Sequence, residues 1–147
     1  MARSDLLWLD SDVLLDWLCA RQPWDASARE LIERAIKSEW QIVYSPLTLA
    51  NLFYLYRKQA GTEKAITTIR TLCQIGTVAD LTASQVQTAL ASPRSDFEDE
   101  LQIACAESLP GLTAIITRNL TDYAHSQVPA MTADNWLAQQ LPQAAEL

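Results

Sequence analysis

Leu6-Leu7-Trp8-Leu9-Asp10-Ser11-Asp12-Val13-Leu14-Leu15-Asp16-Trp17-Leu18 is an apolar run that stops at a carboxylate and resumes with apolar residues at helical spacing. The break places Asp10 at a strand-to-helix turn, with strand over 6–9 and helix from about Ser11 to Cys19. In an open parallel sheet the ligand crevice lies outside the carboxyl ends of the strands, so an acid ending the first strand points into the default site. Asp is also a favoured N-cap residue, and the competing reading is that Asp10 or Asp12 only caps the helix. This segment alone does not choose between them.

The chain has 147 residues, 49% of them apolar, which predicts a single domain over 1–147 with a core at about 6–141. Its apolar runs are short and broken by charge, and the start lacks the pattern of a signal peptide, so a cytoplasmic protein without a membrane role is expected. Cys19, Cys73 and Cys105 are widely spaced beside a single His125, and they read as reduced core residues. Too few soft ligands exist for a tetrahedral zinc site, and a metal here must be bound by oxygen. The formal net charge of −7 argues against broad electrostatic binding of nucleic acid. A carboxylate pocket would need divalent cations to bring phosphate close, and Arg21, Arg57, Lys58, Arg94 and Arg118 form a basic rim only if folding gathers them.

Strands and helices alternate along the chain. Gln22-Pro23 ends the first helix, because a residue before proline is pushed out of the helical region. Asp25 or Ser27 caps the next, which buries Ala28, Leu31, Ile32 and Ala35. Ile42-Val43-Tyr44 is a second strand, and Ser45-Pro46 then opens a helix from Leu47 to Lys58 that is apolar on nearly every side and expected to be largely buried. Asn51 interrupts it one turn after Thr48. As a buried amide it either bonds to neighbouring backbone or aims an oxygen at the site. A helix over about 63–74, an edge strand over 77–81 and a helix capped by Thr82, with Val86, Ala89 and Leu90 apolar, read as scaffold.

Two further segments carry oxygen side chains. Ser95-Asp96-Phe97-Glu98-Asp99-Glu100 opens a helix running to Glu107 through a Ser95/Glu98 capping box, and its acids suit the helix dipole. Four acids in five residues exceed that need, and Asp99 aligns with Ile103 and Ala106 on a side expected to pack inward. Leu112 to Thr117 reads as a central strand followed by Asn119 and Asp122, either turn residues or a second set of strand-end oxygens. A short strand over 128–131 and a helix capped by Thr132 or Asp134, through Trp136, Leu137 and Leu141, complete the chain. This alternation implies a three-layer α/β/α sandwich on a mainly parallel sheet. A cluster of carboxylate and carbonyl oxygens selects Mg²⁺ or Mn²⁺, ions able to activate water and stabilise charge on a phosphate.

Taken in order, Leu9-Asp10-Ser11-Asp12-Val13-Leu14-Leu15-Asp16, Ser45 to Leu55, Asp96 to Ala106 and Ile116 to Tyr123 resemble a PIN domain over residues 6 to about 141. The resemblance implies a metal-dependent ribonuclease like the small VapC-type toxins, with RNA as substrate, a cognate antitoxin as partner and a homodimer as assembly. Carried over by position, Asp10, Asp99 and Asp122 hold Mg²⁺ or Mn²⁺, Asn119 and Asp96 stand beside them, and Asn51 orients a ligand where most catalytic members carry Glu. The alternatives are a PIN-fold RNA-binding or protein-interaction module that does not cleave, and another acid-cluster hydrolase such as a phosphatase.

Overall fold

In the computed structural model, which describes residues 4–92 and 96–140, the run before Asp10 is strand β1 (Leu6–Leu9) and the resumed pattern is helix α1 (Ser11–Leu18). There follow α2 (Asp25–Ile36), β2 (Gln41–Tyr44), α3 (Pro46–Ala60), α4 (Thr62–Ile75), β3 (Thr77–Val78), α5 (Ala83–Leu90), α6 (Phe97–Glu107), β4 (Ala114–Ile116), a 3-10 turn (Leu120–Tyr123), β5 (Ala130–Met131) and α7 (Ala133–Gln139). The five strands pair in the order β3-β2-β1-β4-β5, every pair parallel. Successive side chains of a strand face opposite sides, so a sheet covered twice needs apolar residues at every position. Leu7 and Leu9 pack with Ile42, Tyr44 and Ile116 beneath α1, α2, α3, α4 and α7, while Trp8, Val43 and Ile115 face Ile103, Cys105 and Ala106 of α6. The result is the expected α/β/α sandwich.

Strand order reverses between β1 and β4, since the chain leaves β1 toward β2 on one side and reaches β4 on the other. Such a switch point opens a crevice at the carboxyl ends of the two strands. Asp10 and Thr117 stand there, and the Asp10 amide continues the ladder to the Ile116 carbonyl at 3.1 Å.

Local signals acted mostly as expected. Ser45 caps α3 with Pro46 as its first residue, Thr82 and Gln85 form a full capping box on α5, and Thr132 caps α7. Other expectations are corrected. α1 stops at Leu18, ahead of Gln22-Pro23, where Arg21 N–H turns back to the Asp16 carbonyl at 3.1 Å. α2 takes Trp24 at its N-cap without a side-chain bond, which leaves Asp25 inside the first turn, where an acid still suits the dipole. The observed cap of α6 is Asp96, which accepts the Asp99 N–H at 3.1 Å, whereas Ser95 lies outside the described residues, as do Arg94 and Leu141.

α3 is not largely buried: Thr48, Leu49, Leu52 and Tyr56 face inward, but Tyr54 and Leu55 are 61% and 45% exposed. A helix in an outer layer has only one face to turn to the sheet, and an all-round apolar sequence puts the remainder in water. Cys73 is exposed on α4, against the expectation of a core position, and Leu90 is exposed at the end of α5. Among the described residues no helix is long and apolar enough to cross a membrane.

Candidate functional site

Asp10 both caps α1 and points into the crevice. One carboxylate oxygen accepts the Ser11 N–H at 2.8 Å and the other accepts the Thr117 hydroxyl at 2.8 Å, so the side chain bridges the ends of β1 and β4. It is 9% exposed, and burial raises its pKa despite those two bonds, with the charges of Asp122 and Glu98 adding to the rise. Thr117 in turn accepts the Asn119 N–H at 2.9 Å, which sets the turn carrying Asn119 and Asp122. Asn119 itself is exposed, and Asp122 is half-buried in the 3-10 turn.

Helices α3 and α6 are locked together by a buried knot of hydroxyls and amide. Ser45 donates to Gln102 Oε1 at 2.7 Å, and Gln102 Nε2 donates to Thr48 Oγ1 at 2.9 Å. Thr48 and Ser45 hydroxyls meet at 3.0 Å, closing the ring, so every buried polar atom in it is satisfied. Asn51 stands one turn beyond Thr48, and Glu98 and Asp99 one turn before Gln102, because residues three or four apart share a helical face. The knot thereby aims both helices at one rim. There Asn51 Nδ2 donates to Glu98 Oε1 at 2.7 Å.

Asn51 is thus half-buried at the rim, and among the described residues its side chain bonds to Glu98 and not to backbone. The four acids that open α6 serve four ends: Asp96 caps the helix, Glu98 takes the Asn51 amide, Asp99 faces the crevice, and buried Glu100 lies 2.9 Å from His125 Nε2. Asp99 is half-buried, less inward than Ile103 and Ala106 on its own face. Its pKa is pushed up to about 6 by burial and then by the charges of Asp122, Asp96, Glu98 and Asp10. Asp12 rises to about 6 through burial and the neighbouring charge of Asp10, and its Oδ1 is buried without a hydrogen-bond partner among the described residues. Burial also raises the Tyr123 hydroxyl, which feels Asp10, Asp12 and Asp99 in turn.

The crevice therefore gathers the fields of Asp10, Asp12, Glu98, Asp99 and Asp122. Among the described residues no three acidic, histidine or cysteine side chains are already closed to metal-binding spacing. Thr117 and Gln102 were not singled out from the sequence, and Glu98 was read there only as half of a capping box. Gln102 carried a readable signal as the one amide within Leu101 to Ala106, otherwise wholly apolar. Of the cations that folding could have gathered into a basic rim, Arg118 pairs with Asp16 and Arg57 lies over the rings of Phe53 and Tyr54.

Raised acid pKa values have a consequence for stability. Asp12 and Asp99 hold protons more tightly when folded, near 6, than at their ordinary 3.8, so the folded chain binds more protons across that window. Stability then falls as pH rises through it. In chelator the melting temperature is expected to be higher at pH 5.5 than at pH 7.5, and Asp12→Asn should shrink the difference. An unchanged difference in that variant, followed by circular dichroism, would remove Asp12 as a source.

A family model described as PIN domain matches residues 7–121. No relative among curated protein sequences matches the chain. The fold is similar to a toxin-antitoxin complex from Klebsiella pneumoniae, with a TM-score of 0.63 at 19% identity, covering 88% of this chain and 98% of that one. VapBC-1 from nontypeable Haemophilus influenzae gives 0.62 at 16% identity over 88% and 98%. The Sarcin-Ricin loop cleaving toxin VapC20 of Mycobacterium tuberculosis gives 0.60 at 15% identity over 80% and 93%.

Proposed function

The chain belongs to the PIN domain family, and from that premise we propose that it is a Mg²⁺- or Mn²⁺-dependent endoribonuclease acting as the toxin of a toxin-antitoxin pair. The observation that carries the reading is Asp10, a buried carboxylate bridging the strand ends at the switch point within the field of Asp122, Glu98 and Asp99. The residues fit a hard cation: the donors are all oxygen, the acids repel one another, and one buried Asp12 oxygen has no donor. Asp10, Asp99 and Asp122 would hold the ion, with Asn119 and Asp96 nearby. When bound, such an ion lowers the pKa of water and offsets charge on the phosphate during in-line displacement. Thr117 holds Asp10 in place by its hydroxyl, and Asn51 holds Glu98 over the rim.

VapBC assemblies and a toxin-antitoxin complex among the similar folds support an antitoxin protein as partner. A homodimer would find apolar surface on α3 at Tyr54 and Leu55. A non-cleaving RNA-binding module is the second reading, favoured by the neutral Asn51 with its N–H committed to Glu98.

One assay separates the two. Purified protein incubated with generic single-stranded RNA should cleave it in Mn²⁺ or Mg²⁺ and not in excess chelator, and Asp99→Asn should be inactive. Binding without cleavage would leave the second reading, and cleavage that survives chelator would end the metal assignment. Melting curves add a test of the rim. Asn51→Glu turns the bond to Glu98 into a like-charge contact, so it should melt below wild type in chelator and gain more from millimolar Mn²⁺ than wild type does. A gain no larger than that of wild type would take Asn51 out of the site.

A further inference from the structure

Beside the acid crevice, at the carboxyl ends of β4 and β5, lies a cavity of about 570 Å³ lined by Asp16, Trp24, Ser27, Arg118, Thr132 and Asn135, among others. It shares its framework with the acids. Arg118 follows Thr117 in the chain, its amide donates to Asp12 Oδ2 at 3.0 Å, and its side chain closes on Asp16. Asp16 is six residues beyond Asp10 on α1, about 9 Å along the axis at the helical rise. The cavity therefore adjoins the acid crevice through Arg118, which touches Asp12 on one side and Asp16 on the other.

The chemistry of the lining selects what enters. Trp24 is 45% exposed, and the Arg118 guanidinium lies 3.9 Å from the centroid of its ring. An indole backed by a cation and open to a cavity is a stacking platform, since every base has a π-face to offer. A phosphate is poorly served here. The guanidinium is already neutralised by two bonds to Asp16, at 2.7 and 3.0 Å, and Asp134 adds a negative charge to the lining. A neutral, flat, hydrogen-bonding group is served well. Asn135 lines the cavity, and its side-chain amide makes no hydrogen bond among the described residues.

Resting on the ribonuclease reading above, we propose that this cavity is a nucleobase subsite, in which a base adjacent to the scissile phosphate stacks on Trp24 and meets Asn135 with its edge. The subsite positions RNA by a neutral base, which suits a chain with a formal net charge of −7.

The test measures binding without cleavage. Fluorescein-labelled single-stranded oligoadenosine and oligouridine are titrated by anisotropy into Asp10→Asn protein, alone and combined with Trp24→Ala, Trp24→Phe or Ser27→Phe. Trp24→Ala should weaken binding about tenfold, the size of one lost base stack, and Trp24→Phe should restore most of it. Ser27→Phe, which fills the cavity from α2 and leaves the indole in place, should weaken binding as well. Asn135→Ala should alter the ratio of the two affinities. If Trp24→Ala and Ser27→Phe bind RNA like the parent while the wild type cleaves, the subsite is overturned and the ribonuclease reading stands. If the wild type neither binds nor cleaves RNA, both readings fall together.

Discussion

Arg118→Met is expected to destabilise the protein by about 3 kcal/mol or more, because it strands a charge that the fold has buried. The Asp16 side chain is 2% exposed and its two oxygens take the guanidinium at 2.7 and 3.0 Å. Removing one member of a buried pair leaves the other charge uncompensated, at a cost of about 3–5 kcal/mol. Arg118 is itself 26% exposed, so water reaches its side of the pair and the lower end of that range applies. For a chain of this size such a loss lowers the melting temperature by roughly 10 °C. The double variant Asp16→Leu/Arg118→Met removes both charges and should recover most of the loss. Urea unfolding of the two variants decides the matter: a single-variant loss under about 1 kcal/mol would show that the pair behaves as a surface ion pair.

Asp10→Asn is expected to reduce metal-dependent RNA cleavage at least a hundredfold while the protein in chelator melts no lower than wild type. Loss of an interaction worth several kcal/mol in the transition state accounts for the first effect. Local geometry accounts for the second. The Asn oxygen can still accept the Ser11 N–H, and its amide can donate to Thr117 Oγ1, which now donates to Asp10. The change also removes a buried charge whose pKa is raised by burial, so folding loses little and gains some relief. Were Asp10 only a helix cap, the variant would cleave as before and gain as much stability from Mn²⁺ as wild type, since Asn caps a helix as well as Asp does. Rates on single-stranded RNA together with melting curves in chelator and in Mn²⁺ distinguish the two.

Several features were legible in the sequence because their causes are local. The turn at Asp10 follows from an apolar run meeting helical spacing, and Ser45-Pro46, Thr82 and Thr132 open helices through bonds within a few residues of themselves. Ala28, Leu31, Ile32 and Ala35 face the core as their spacing demands, since a three- and four-residue repeat has only one side. The parallel sheet follows from strands separated by helices, and with it the crevice at the strand ends.

Direction and partnership were decided only by tertiary structure. α3 is apolar on nearly every side, so its sequence gives little signal that Tyr54 and Leu55 face water. The acids opening α6 are chemically near-equivalent along the chain, and what separates them is the group each meets: the Asn51 side chain for Glu98, His125 for Glu100, the Asp99 backbone N–H for Asp96. Arg118 read as one of several surface cations, because nothing within its own segment announces a buried carboxylate 102 residues earlier. Capping and periodicity act over a few residues and can be read from them. A charge or an amide is assigned its role by whatever folding brings within about 3 Å of it, and that distance is set by the packing of the whole chain.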